Sequence, residues 1–164
     1  MRLHLFALPL LAFFLFTGMN RPPDLAFRVH VEANQQDTST FSAPAELQYP
    51  TPHTAWIEKI PRISEREVKA IFLTPASDGT WGCAFKLDET GRLHLEVLST
   101  EKRGKSLVVF LQTKNFTHQV IDLVIDQKIS DGVIYVPHGI TSKEVKILQK
   151  EFHVANPRKN KGEH

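Results

Sequence analysis

The sequence predicts an α+β protein: a small, mostly antiparallel sheet with two helices packed on one face. Three observations predict it. Apolar runs of strand length occur at residues 107–111, 120–125 and 133–136. Two amphipathic segments follow capping signals, one at Asp88 and one at Thr141 with Glu144. Between residues 68 and 87, two alternating stretches flank the turn sequence Ser77-Asp78-Gly79-Thr80, which reads as a hairpin. A chain of 164 residues with 41% hydrophobic and 23% charged side chains has the size and composition of one globular domain with short appendages.

Taken in order, residues 1–19 open with Met1-Arg2-Leu3-His4 and continue through an apolar stretch, 5–16, broken only by Pro9. A basic start before a short apolar core is the pattern of a signal peptide. The stretch is shorter than the ~20 residues a helix needs to span hydrocarbon. Phe16, Thr17, Gly18 and Met19 offer no clean pair of small residues for a peptidase, so an N-terminal membrane anchor is the alternative. Residues 20–55 are expected to hold a first strand and an irregular linker. Phe27, Val29 and Val31 alternate with polar residues and fall on one face of that strand. The linker, rich in Ser, Thr and Pro, hides a short strand around Ala45 to Tyr49.

Residues 56–153 carry the main α+β unit. Trp56 to Ile60 reads as a strand stopped by Pro61, which has no ladder donor. Ser64 and Glu67 have capping-box spacing and predict a helical turn before the hairpin. Asp88 caps a helix expected to turn Leu93, Val97 and Leu98 toward the sheet, with Gly104 in the left-handed position beyond its end. Leu107-Val108-Val109-Phe110-Leu111 is the kind of continuous run found at a sheet centre buried on at least one face. Thr141 and Glu144 open a second helix bearing Val145, Leu148 and Phe152. Residues 154–164, with Arg158, Lys159 and Lys161, have little to bury and form a disordered basic tail.

Twenty basic residues against eighteen acidic ones give a net charge of +2 with no concentrated basic face, which argues against nucleic-acid binding. The single cysteine, Cys83, sits in an apolar run and reads as a small buried hydrophobe; one thiol supplies neither a disulfide nor a cysteine metal site within the chain. The histidines His30, His53, His94, His118, His138 and His153 are scattered without paired-ligand spacing, so neither metal nor cofactor is expected. Ser130, Asp131 and His138 could compose a hydrolase triad only without the usual nucleophile turn, and a turn before a strand explains Ser130-Asp131-Gly132. Asp122 and Asp126 share a strand face and read as solvated rather than as an acid and base pair. No catalytic, cofactor or metal residue is assigned.

The order hairpin, helix, central strand, further strands, closing helix carries a resemblance. Ala84-Phe85-Lys86-Leu87-Asp88, Gly91, Gly104-Lys105-Ser106 with the following apolar strand, Gly132-Val133-Ile134-Tyr135-Val136 and Gly139-Ile140-Thr141 together resemble the head of the first periplasmic domain of SecD. The resemblance covers about half the chain. Where that family carries Asp-Gly after its central strand, this chain has Gln112-Thr113-Lys114-Asn115, and it has His118-Gln119-Val120-Ile121 in place of the Ala-Pro of the next strand.

The resemblance implies a stand-alone exported relative without the transmembrane helices that couple proton flow to export, and it transfers no functional residue by position. The expectation is a non-catalytic accessory domain of the cell envelope, periplasmic or otherwise extracytoplasmic, possible anchoring resting with residues 5–16. Its partner would be a protein or an unfolded polypeptide, accepted along a strand edge of the hairpin at residues 68–87. No small-molecule substrate is evident. A small secreted enzyme with a site assembled from dispersed His and Asp, and a structural envelope component, are the alternatives.

Overall fold

The computed structural model describes residues 23–34, 37 and 39–155; the expected signal or anchor and most of the expected tail lie outside them. Nine strands and two helices follow one another: β1 (Leu25–Val31), β2 (Ser42–Leu47), β3 (His53–Glu58), β4 (Ile63–Ser64), β5 (Val68–Pro75), β6 (Trp81–Leu87), α1 (Glu89–Glu101), β7 (Ser106–Thr113), β8 (Thr117–Val124), β9 (Val133–Ile140) and α2 (Ser142–Glu151). The strands form a four-stranded sheet β4-β1-β7-β8, a three-stranded sheet β5-β6-β9 and a two-stranded ribbon β2-β3, every strand pair antiparallel. The α+β class with two helices stands. The strands are divided among three sheets rather than gathered in one.

The larger sheet is built on β1 and β7, paired along their full lengths from Leu25 opposite Thr113 to Val31 opposite Leu107. Leu25, Phe27, Val29 and Val31 of β1 and Leu107, Val109 and Leu111 of β7 enter the main core together. Val108 and Phe110 face the other way and pack with Leu47, Ile57, Ala45 and Ala55 of the ribbon. That two-sided burial explains why residues 107–111 are apolar without alternation: a strand covered on both faces has no solvent side to write in polar residues.

The smaller sheet contributes Ile71, Cys83, Phe85, Leu87, Ile134, Val136 and Ile140 to the same core, and the rings of Phe27 and Phe85 stack at 4.3 Å across it. Leu95 and Leu98 of α1 and Val145 and Leu148 of α2 complete this side. The expected face of α1 is corrected. Gly91, Leu95, Leu98 and Ser99 are its buried positions, while Leu93 and Val97 are 47% and 53% exposed. At 100° per residue the 91, 95, 98 stripe is continuous. Two of its contact positions are small residues, which a search for large apolar side chains passes over.

Local signals placed the helix ends. Asp88 accepts a hydrogen bond from the Gly91 N–H, Ser64 and Glu67 form a capping box on a 3-10 turn at Glu65–Glu67, and Thr141 and Glu144 form another on α2. Gly104 has φ +82°, as its place after α1 requires. Gly82 answers a different need. The β6–β9 register shifts between Trp81 and Cys83, bringing the β9 backbone so close that a Cβ at Gly82 would lie 2.4 Å from the Pro137 carbonyl oxygen.

The boundary at residue 55 falls inside β3, and β1 is central to the main core. The short strand expected near Ala45 to Tyr49 is β2, beginning three residues earlier. The ribbon is tied to β8 by Asp122, whose carboxylate accepts from the backbone N–H groups of Gln48 (2.5 Å) and Tyr49 (3.0 Å). Asp122 therefore fastens two sheets, which a solvated-face interpretation had not anticipated.

Candidate polypeptide-binding edge

Every strand edge presents a row of main-chain donors and acceptors, and a protein either pairs, blunts or uses them. The outer edge of β1 is occupied by β4, by an isolated bridge between Glu32 and Ile57, and by the Arg62 N–H donating to Val29. In the smaller sheet β6 lies between β5 and β9, so the hairpin's outer edge belongs to β5. That edge is bounded by two blunting devices. Lys69 is the extra residue of a bulge between Val68 and Ala70, and Pro75 ends the strand without a donor.

Between them, Ile71 turns its main chain outward. Its N–H donates to the His153 carbonyl and its carbonyl accepts from the Ala155 N–H, both at 2.9 Å, forming a parallel bridge to Val154. Strand alternation turns the main chain of Leu73 to the same side. Residues 154 and 155, assigned above to the tail, are thus a short strand laid on β5. The missed signal was the alternation of Phe152, His153 and Val154 directly after a helix.

No group of three His, Cys, Asp or Glu side chains able to hold a metal occurs among the described residues. The histidines lie on separate elements. His30 Nδ1–H donates to the Glu58 carbonyl at 2.7 Å, with its ring edge-on to Phe110; burial lowers its pKa more than this hydrogen bond raises it. His53 bonds the Thr51 carbonyl, and His94 stands 3.9 Å from Glu67. His138 faces Asp78 at 3.4 Å rather than Asp131, whose carboxylate accepts from the Val133 N–H, while the Ser130 carbonyl accepts from Arg92. Ser130, Asp131 and His138 are therefore not assembled as a triad. His4 and His164 lie outside the described residues.

Glu144, 1% exposed, pairs with His118 at 2.7 Å beside a hollow of about 310 Å³ lined by Phe116, Thr141 and Lys143. Glu144 is already committed: one oxygen meets His118 and the other accepts from the Thr141 N–H and hydroxyl. It caps α2 and fastens β8 to it. Cys83 is fully buried, and desolvation pushes its thiol up to about 12, so it stays protonated and unreactive at neutral pH. No helix among the described residues is long and apolar enough to cross a membrane.

Antiparallel sheets sharing one core with two helices define a small α+β fold, and solved structures with that arrangement identify its kind. The chain is similar to a structure described as a membrane component SecDF that enhances protein export, with TM-score 0.52 and 10% identity over 80% of this chain. It is equally similar, at the same score, identity and coverage, to SecDF in its super-membrane-facing form. The fold is SecD-like, and the likeness extends beyond the half of the chain on which the sequence resemblance rests. The chain spans 64% and 19% of the length of those two proteins. No protein-family model matches, and no curated protein matches.

Proposed function

We propose that this protein is a non-catalytic, polypeptide-binding accessory domain of the cell envelope, acting outside the cytoplasmic membrane and held there or delivered there by residues 1–19. The observation that carries this reading is the incompletely paired β5 edge on a SecD-like fold. A main-chain edge recognises the extended backbone common to all unfolded chains, so it needs no specific side chain. The SecD-like fold supports a role connected with protein export, since the similar proteins are described as SecDF, which enhances it. The non-catalytic part rests on the commitments of the polar groups: Glu144 is consumed in capping, Asp122 in fastening the ribbon and Asp131 in a turn.

The test is direct binding of the full chain to a permanently unfolded, carboxymethylated protein, followed by fluorescence anisotropy, with the same protein in its folded form as the control. Saturable binding of the unfolded form alone is expected. Equal binding of both forms, or of neither at high micromolar concentration, removes the reading.

A further inference from the structure

The geometry points to the β5 edge as the binding site itself, with residues 153–155 as a resident strand that an extended client displaces; this rests on the polypeptide-binding reading above. The site has a defined window. Lys69 and Pro75 close its two ends, leaving the outward main chains of Ile71 and Leu73 between them. The resident strand fixes the direction: it runs parallel to β5, bonding both the N–H and the carbonyl of Ile71.

The resident strand is also built to be weak. Among the described residues its pairing is an isolated bridge at Ile71. Continuing that parallel ladder would require residue 157 to donate an N–H to the Leu73 carbonyl, and residue 157 is proline. Upstream the ladder would have to pair the bulged Lys69 with Glu151, the last residue of α2. A client segment carries neither limit. It can repeat the two bonds to Ile71 and add those to Leu73, so an extended, proline-free stretch outcompetes the resident strand by extending along β5. Val154 is 40% exposed and is not among the residues of the main core. The client class is consequently any extended polypeptide without proline over a few residues, with affinity from main-chain pairing and only shallow side-chain preference.

The experiment uses the full chain and a fluorescein-labelled, proline-free peptide of alternating valine and threonine, together with Ala155→Pro and Ala155→Ser. Ala155→Pro removes the N–H that bonds Ile71, while Ala155→Ser keeps it. Loss of one such bond from the competitor should tighten peptide binding about fivefold in Ala155→Pro and leave Ala155→Ser at the native value. Hydrogen exchange supplies the second measurement: peptide should slow exchange at the Leu73 amide, and Ala155→Pro without peptide should quicken it at Ile71. If the peptide binds native protein and Ala155→Pro equally and Leu73 exchange does not change, the edge is not the site, though the protein still binds polypeptide. If neither the peptide nor the unfolded protein binds any variant, both readings fall. If Ala155→Pro dimerises with Leu73 protected in the absence of peptide, the edge serves a second copy of the chain and the displacement inference is overturned.

Discussion

The β1 side of the four-stranded sheet and the β5 side of the three-stranded sheet are managed in opposite ways, the other edge strands being β8 and β9. Around β1 the four-stranded sheet is closed on its outer side by β4, the Glu32–Ile57 bridge and the Arg62 bond, and its rear face is roofed by the ribbon. The three-stranded sheet shares the same core and has β5 and β9 at its edges; at β5 one bridge stands in for a strand. Stability and availability are thus assigned to different strands of one core. The β1–β7 ladder supplies the rigid reference against which an open edge can remain extended without collapsing.

The contrast breaks most completely at the point the sheets share. Replacing Phe85 with Ala removes the stack on Phe27 and should cost about 3–5 kcal/mol, unfolding both sheets in one transition; separate thermal transitions for the two sheets would show that they are not one cooperative unit. Gly82→Ala attacks the smaller sheet alone, because the new methyl meets the Pro137 backbone. A loss of about 1–3 kcal/mol in chemical denaturation is expected, with amide protection lost first in β6 and β9.

Thr141→Ala removes the cap of α2 and should cost about 1 kcal/mol, read as a lower midpoint with an unchanged denaturant slope. Native hydrogen exchange sharpens the comparison without mutation: β1 and β7 amides should exchange at the global rate, and the outward amides of Ile71 and Leu73 faster.

The smallest effect is one of pH, and it belongs to the four-stranded sheet. Burial lowers the pKa of His30 in the folded protein, so the unfolded chain binds its proton more readily. His30 therefore contributes its full stability above the unfolded pKa of about 6.5 and loses it as pH falls toward the folded value. Glu58 and Glu32 follow in more acidic solution. Burial raises both, but hydrogen bonds from Arg62 and Lys102 to Glu58, and from the Ser106 N–H and Lys105 to Glu32, bring them below the usual range. Their contribution is present above about pH 4.3 and lost below it. A melting curve that falls between pH 7 and 5, and falls less in His30→Gln, is the expected record.

What the sequence displayed was whatever a few neighbouring residues decide. Asp88, Ser64 with Glu67, and Thr141 with Glu144 capped where their spacing predicted, because a cap is satisfied within one turn. The hairpin at 68–87 and the position of Gly104 were legible for the same reason. The division into sheets was not, since it depends on pairings such as Leu25 with Thr113 across most of the chain. The buried stripe of α1 escaped because Gly91 and Ser99 mark it by being small. The candidate edge was half legible: alternation located the hairpin, but nothing local to residues 68–75 announces that Val154 lies beside Ile71.

The placement of β1 also sets an order of events. Its partner β7 begins at Ser106, so a chain emerging N-terminus first from a ribosome or a translocation pore presents β1 some 80 residues before its principal ladder can form. Folding must wait for the middle of the molecule to arrive. Until then the first strand remains an unclosed thread, and the finished architecture locks only once Ser106 and the residues after it have arrived.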